Sequence, residues 1–427
     1  MHAKIKTFEG RVEYDFKLDD GDGGHPDGKT KMENISVYFK NELINEDIHN
    51  DILCLVALLI VNPFISNKLS FSIPVSNKFV TSANKMLSKY KIKTEIDYDL
   101  SPREMPNLGR PGLAFSGGCD SSAALCIMPP ETVPVFLERP MSESSSYNSD
   151  AALMSCELVR DLGFHLEIVE SNFEYLRNPI GFPSDLAHAS VLLLLADIMS
   201  LDSVNFGTVL ESSYGIGHEN FRDYGNGSHW RFFSTLFDIV GIELSLPVCG
   251  ISEVGTAIIC KKSPMGYISQ SCIRGNWSEP CLKCWKCFRK QLLSCGLGYD
   301  KFQESQFLTG LSTPDVVAKL KKIPISHENV LRFSINKLMP QENKMFNLLE
   351  KRLLPLENTD FLKEWYSPSI YFVSKKYREI IKENILEILD SMNSSNEKFV
   401  EAWNLNKFLN KKSTITNTNN LISKVSE

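Results

Sequence analysis

The residues with the clearest chemical potential stand in one run, Ser116-Gly117-Gly118-Cys119-Asp120-Ser121-Ser122. Two adjacent glycines permit a tight turn, and without Cβ atoms their amides can approach an oxyanion closely. An apolar stretch at 113–115 precedes the run and a helical pattern follows from Ser121, which predicts a strand-to-helix junction. A helix start presents unpaired N–H groups and a positive dipole end, which suits a polyphosphate. Ser116, Ser121 and Ser122 add hydroxyl donors. Asp120 would repel bare phosphate, so it predicts a Mg²⁺ partner or a helix-capping role. The Gly-Lys-Ser/Thr ending of the common P-loop is missing. A glycine-rich turn with a serine cap and no ligand is the plainer alternative.

A second group is Cys272, Cys281, Cys284 and Cys287, spaced by nine, three and three residues. Two overlapping Cys-x-x-Cys units and one distant cysteine can wrap a tetrahedral ion. Lys283, Lys286, Arg289 and Lys290 would offset the charge of a Zn²⁺–thiolate site. An iron–sulfur cluster, a redox pair and free thiols are the alternatives. Zinc held by four thiolates has no open position, so its expected role is structural. The other cysteines, Cys54, Cys119, Cys126, Cys156, Cys249, Cys260 and Cys295, read as buried thiols of a reducing compartment.

A third group follows an apolar strand pattern at 203–206 that ends on Gly207. Glu211, His218, Glu219, Arg222, Asp223, His229 and Arg231 crowd this stretch. In an α/β sheet ligands bind beyond the C-terminal strand ends, so Glu211, His218 and Arg222 are candidates for a substrate loop. A solvated surface loop is the alternative. His188 lies in an apolar helical pattern and reads as a core histidine. The acids of residues 19–28 lack the spacing of a calcium loop and read as a turn-rich hairpin.

These groups need elements to position them. Residues 12–17 and 35–39 carry strand patterns, so residues 1–105 form an expected N-terminal α+β extension. Pro102, Pro106 and Pro111 mark a linker. From there strands alternate with helices: 113–115, 133–137, 165–169 and 203–206 against 150–162 and 187–199. That rhythm predicts an α/β fold, a parallel doubly wound sheet with helices on both faces. Residues 106–298 are the expected nucleotide-binding domain with the four-cysteine site, and residues 299–410 a helical C-terminal region. The polar tail 411–427 is expected to be disordered.

The pattern Ser-Gly-Gly-x-Asp-Ser at 116–121 resembles the PP-loop of the ATP pyrophosphatase superfamily. Together with the nine-three-three cysteine spacing, the chain from about 113 to 295 is similar to the 7-cyano-7-deazaguanine synthases. The resemblance implies an adenine nucleotide alpha hydrolase-like fold, with ATP, Mg²⁺ and Zn²⁺ as cofactors. It implies that Ser116, Gly117, Gly118, Cys119, Asp120, Ser121 and Ser122 bind ATP, with Asp120 and Ser121 catalytic. Arg139, after the second strand, and Gly207 match the family's arginine and glycine at those places. The implied reaction adenylates a carboxylate or amide oxygen, releases pyrophosphate, and ends with attack of ammonia, an amine or a thiol.

The departures concern the acceptor. The family's Val-Pro-x-Arg-Asn becomes Phe182-Pro183-Ser184-Asp185-Leu186, and its Asp-rich segment becomes residues 208–224 without such a run. Ser252, before Glu253, stands where the family has lysine. A different or larger acceptor, a modified nucleobase or a protein, is therefore expected. Members with such flanks are similar to proteins of bacterial anti-phage operons, whose partner proteins would meet the N-terminal or C-terminal additions. A non-catalytic nucleotide-binding scaffold and a tRNA sulfur- or amide-transfer enzyme are the alternative functions.

Composition bounds these readings. The 427 residues carry a formal charge of −6, which does not mark a wholesale nucleic-acid binder. The lysine-rich helices after 313 read as solvated faces, with a nucleic-acid or protein docking surface as the alternative. Neither a signal peptide nor a membrane segment is predicted, and a cytoplasmic protein is expected.

Overall fold

A computed structural model describes residues 1–142, 145–339 and 342–425. The N-terminal strands are β1 (His2–Phe8), β2 (Arg11–Lys17), β3 (Lys31–Met32), β4 (Ser36–Lys40), β5 (Lys68–Phe71), β6 (Val75–Ser76), β7 (Lys91–Ile92) and β8 (Ile96–Asp97). They are followed by β9 (Arg110–Phe115), β10 (Val133–Glu138), β11 (Glu167–Ser171), β12 (Arg177–Asn178), β13 (Leu201–Phe206) and β14 (Glu243–Ser245).

Ten of these strands form one sheet in the order β14-β13-β9-β10-β11-β4-β2-β1-β5-β7. The half from β14 to β11 is parallel throughout. Strand β11 meets β4 antiparallel, with Glu170 opposite Lys40 and Ser171 opposite Phe39. The β-rich residues 1–105 therefore extend the same sheet. Strand β2 alternates as a half-buried strand should: Val12, Tyr14 and Phe16 face the core, and Arg11, Glu13 and Asp15 face outward. Each such buried apolar side chain stabilises by about 1.5–3 kcal/mol. The helix Asn50–Val61 is buried from Asp51 onward, so it reads as apolar on every face.

Residues 19–28 form a turn whose acids bond within the protein. Asp22 Oδ1 accepts from Ser66 N at 2.8 Å, and Asp27 Oδ1 accepts from Lys29 N and Thr30 N at 2.9 Å each.

Two expectations are corrected. The helix expected over 187–199 is a 3₁₀ turn, Ala187–Ala189, and a short helix, Ser190–Leu194. Beyond it tertiary partners take the chain: Arg110 Nε donates to Met199 O at 2.9 Å and Arg103 Nε to Asp197 Oδ1 at 2.7 Å. The tail expected to be disordered forms the helix Lys412–Val425, and its last two residues, 426–427, lie outside the described residues. Thr414, Thr418 and Leu421 of that helix are buried at helical spacing, and Asn417 Nδ2 donates to Lys351 O at 2.8 Å.

The C-terminal region is helical, as its pattern predicts, and builds a second apolar core from Phe307, Val316, Leu331, Phe346 and Leu421. The helix Trp285–Gly296 joins both cores, with Phe288 and Leu292 in the second and Leu293 in the first. No helix among the described residues is long and apolar enough to cross a membrane.

Candidate active site

Strand β9 is the middle of the parallel half. The chain passes from it to β10 on one side and later returns to β13 on the other. Such a reversal of strand order opens a crevice at the C-terminal strand ends. The loop 116–118 leaves β9 at this crevice, and Gly207 leaves β13 beside it.

Gly117 has φ +70, a left-handed turn that glycine adopts without strain. Gly118 caps the helix Cys119–Ile127. Ser121 closes the loop on itself: its Oγ accepts from Ser116 N at 3.1 Å and donates to Gly118 O at 3.1 Å. A Cβ on Gly207 would meet Ser121 N at 2.7 Å and the Asp120 carbonyl carbon at 2.8 Å, so only glycine lets β13 end this close to the loop.

Asp120 opens a buried charged cluster. Its Oδ1 accepts from Thr256 Oγ1 at 2.8 Å and lies 3.7 Å from Lys290 Nζ. Glu253, which begins the helix Glu253–Lys261, is the centre. Its carboxylate lies 3.0 Å from Arg289 NH2, 3.2 Å from Lys290 Nζ and 2.8 Å from His327 Nδ1. Glu211, wholly buried, accepts from Glu253 N at 3.2 Å and from Asn329 Nδ2 at 2.8 Å.

The two glutamates are pushed apart electrostatically. Burial would raise the Glu253 carboxyl, but Lys290, Arg289 and His327 outweigh it and hold the pKa well below the ordinary range. Burial and the neighbouring Glu253 charge raise Glu211 to about 7. Burial would lower the Lys290 ammonium, but Asp120 and Glu253 outweigh it, so its pKa is raised. His218 is lowered to about 4 by burial and by His327, whose ring centroid is 5.7 Å away.

The four cysteine sulfurs lie within 4.8 Å of one another, a group that could hold a metal ion such as zinc. Cys281 N donates to Cys272 Sγ at 3.3 Å, and Cys287 N to Cys284 Sγ at 3.4 Å. Cys284 caps the helix Trp285–Gly296 and Cys287 lies in its first turn. Arg289 and Lys290 follow on that helix. A cleft of about 670 Å³ separates the cysteine group from the loop helix, and Cys119, Cys260, Ser271, Cys272 and Lys290 all line it.

Residues 232–404 match the model of a "Family of unknown function (DUF6395)". No curated protein and no solved structure matches the chain. The matched stretch holds Glu253, the four cysteines, Lys290, His327 and Asn329. It begins after the loop 116–122 and Glu211.

Among the candidates read from the sequence, the fold gathers Ser116 to Ser122, Gly207, Glu211 and His218 at the crevice. Arg139 is elsewhere engaged: its NH1 lies 2.6 Å from Glu174 Oε2, and its guanidinium stacks 4.3 Å above the Tyr147 ring. Arg222 is exposed and contacts neither Glu211 nor Glu253, though its charge helps lower His218. His188 is a core residue between Phe182 and Phe206, lowered to about 4 by burial. Asp185 pairs with His229 at 3.0 Å on the wall of a second cleft of about 1210 Å³.

Thr256, His327 and Asn329 stand in no motif of the sequence, and Arg289 and Lys290, expected only as counter-charge for zinc, belong to the cluster as well. One signal was available: a helix starting at Cys284 puts Lys290 nearly two turns along, on a face with Cys287 and Leu293. Ser252 accepts from Val254 N and Gly255 N as a helix cap, and the ammonium beside Glu253 is that of Lys290.

Proposed function

We propose that the chain is an ATP-dependent enzyme resembling the PP-loop pyrophosphatases and, within them, the 7-cyano-7-deazaguanine synthases. The observation that carries this reading is the Ser-Gly-Gly-Cys-Asp-Ser loop standing at the strand-order reversal, pressed by Gly207 and open to a cleft that Lys290 lines. In the proposed reaction an acceptor carboxylate or amide oxygen attacks the α phosphorus of ATP. The bond to the bridging oxygen breaks and pyrophosphate leaves. Ammonia, an amine or a thiol then displaces AMP from the adenylated acceptor.

The loop turn and the helix start would bind the β and γ phosphates, where charge builds as pyrophosphate departs. Lys290 would add a cation there. Asp120 would hold Mg²⁺ with the phosphates, and that ion would supply charge neutralisation. Cys272, Cys281, Cys284 and Cys287 fit Zn²⁺ by donor type and mutual distance, and four thiolates leave it a structural role. The acceptor would be a modified nucleobase or a protein, in an anti-phage setting.

Asp120→Ala tests the reading. The expected outcome is loss of pyrophosphate release, by about a hundredfold or more, with the fold intact. Unchanged release would exclude the mechanism. The scaffold reading draws on the cluster itself, because Glu211 and Glu253 are closed off from solvent. Tight ATP binding with no turnover, in the presence of acceptor-containing cell extract, would favour it.

A further inference from the structure

The C-terminal helical region reads from sequence as an addition outside the nucleotide-binding unit. In the structure it reaches the buried charged cluster beside residues 116–122. The contact is made by a short arm, residues 325–329, that leads into the helix Glu328–Leu338.

The arm is braced from behind. Glu328 and Arg352 are both fully buried and pair at 3.1 Å. Glu328 Oε2 accepts from Ile325 N at 3.0 Å, Glu328 Oε1 from Leu354 N at 3.0 Å, and Arg352 NH2 donates to Lys322 O at 2.8 Å. Breaking a buried pair leaves an uncompensated charge, so this brace resists local opening. The helix that follows packs along the cysteine-anchored helix, where a Cβ on Gly296 would meet Ser334 Cα at 3.0 Å.

At its tip the arm holds two residues against the cluster. His327 has φ 57, which turns its ring inward and puts Nδ1 2.8 Å from Glu253. Asn329 is fully buried and donates to Glu211. Its Oδ1 lies where a Cβ on Gly217 would overlap it, so the loop after β13 can seat there only with glycine. The same region grips that loop again: Trp403 Nε1 donates to His218 O at 2.9 Å, and Leu405 N to Glu219 O at 2.8 Å.

We propose that His327 and Asn329 are positioning residues for the polyphosphate of ATP, setting through Glu253 and Glu211 where Lys290 and the loop after β13 stand over residues 116–122. This rests on the proposed ATP site. Glu253 is shared by Arg289, Lys290 and His327. Without His327 the carboxylate is free to follow the two cations, and Lys290 loses its fixed distance from the loop. A group that acts through Lys290 should matter for the β and γ phosphates and not for adenosine or the α phosphate.

The full chain, with its metal content and melting profile checked, would be titrated calorimetrically with Mg·ATP and separately with AMP. His327→Gly keeps the left-handed backbone and removes the imidazole that contacts Glu253. Expected is about tenfold weaker Mg·ATP binding, the size of one lost close contact to a charged group, with AMP binding changed by less than about twofold. His327→Asn keeps both a donor and a backbone that tolerates positive φ, and should restore Mg·ATP binding. In a Lys290→Met background His327→Gly should cost nothing further. Equal weakening of AMP and ATP, or no weakening, would overturn the inference while leaving the ATP site standing. Failure of the unsubstituted chain to bind Mg·ATP would overturn both. If His327→Gly does not fold, Asn329→Ala is read in the same way.

Discussion

The four-cysteine group and the glutamate–cation cluster lie at the two ends of one helical turn, yet they are built in opposite ways. The cysteines come from one stretch, 272–287, and need only a loop that folds back on itself. The cluster collects Asp120, Glu211, Glu253, Arg289, Lys290, His327 and Asn329 from five separate segments. Thiolates spaced by a turn can meet a metal with little help from the rest of the fold. Buried carboxylates and cations meet only after sheet, helix and C-terminal arm have all assembled, because each ion is costly to bury until its partners arrive. The helix Trp285–Gly296 connects the two: its first turn carries Cys287 and its second presents Lys290.

The largest expected effect is on the local group. Cys284→Ser with Cys287→Ser should abolish stoichiometric metal binding and remove the stability that a bound metal lends the chain. Metal analysis and urea unfolding would check this. Retained stability after exhaustive chelation would mean that the helix start needs no metal, and the two regions would then be independent.

A second effect sharpens the cluster side. Glu211 is raised from the ordinary 4.5 to about 7, so the folded chain binds more protons than the unfolded chain between those values. Stability from this group is complete below about pH 4.5 and is lost as pH rises through about 7, a slope worth on the order of 3 kcal/mol. Glu211→Gln should flatten that slope and leave the variant the more stable form at pH 8. Urea unfolding at pH 5, 6, 7 and 8 measures it, and an unaltered slope would place the buried proton elsewhere. The depressed Glu253 acts in a different window, losing its contribution as pH falls below the carboxylate range.

The smallest effect belongs to the exposed candidate. Arg222→Ala should change stability by less than about 0.5 kcal/mol and leave Mg·ATP affinity unaltered, since the side chain is exposed and outside the cluster. A marked loss of affinity would extend the site along the loop after β13.

Much of the architecture was legible because it is periodic. Strands alternating with helices predicted the parallel half of the sheet, and β-branched and aromatic runs predicted the β-rich N-terminus. The misread elements share a cause. Residues 411–427 are polar, and their buried face rests on Thr414 and Thr418, which composition counts as hydrophilic. Residues 187–199 are mostly apolar, but the backbone past Leu194 bonds to Arg110 and turns into β13. In both stretches tertiary partners outweighed local propensity.

By itself the sequence determined the features whose donors are contiguous: the glycine turn at 117–118, the serines around it and the nine-three-three thiols. Short-range geometry follows from residue type and spacing, so a linear reading reaches it. Only the tertiary structure decided that Arg139 is held by Glu174, that Lys290 stands between Asp120 and Glu253, and that His327 closes the cluster from the C-terminal arm. Those pairings join residues far apart in the chain, and their energies exist only where folding has removed the water between them.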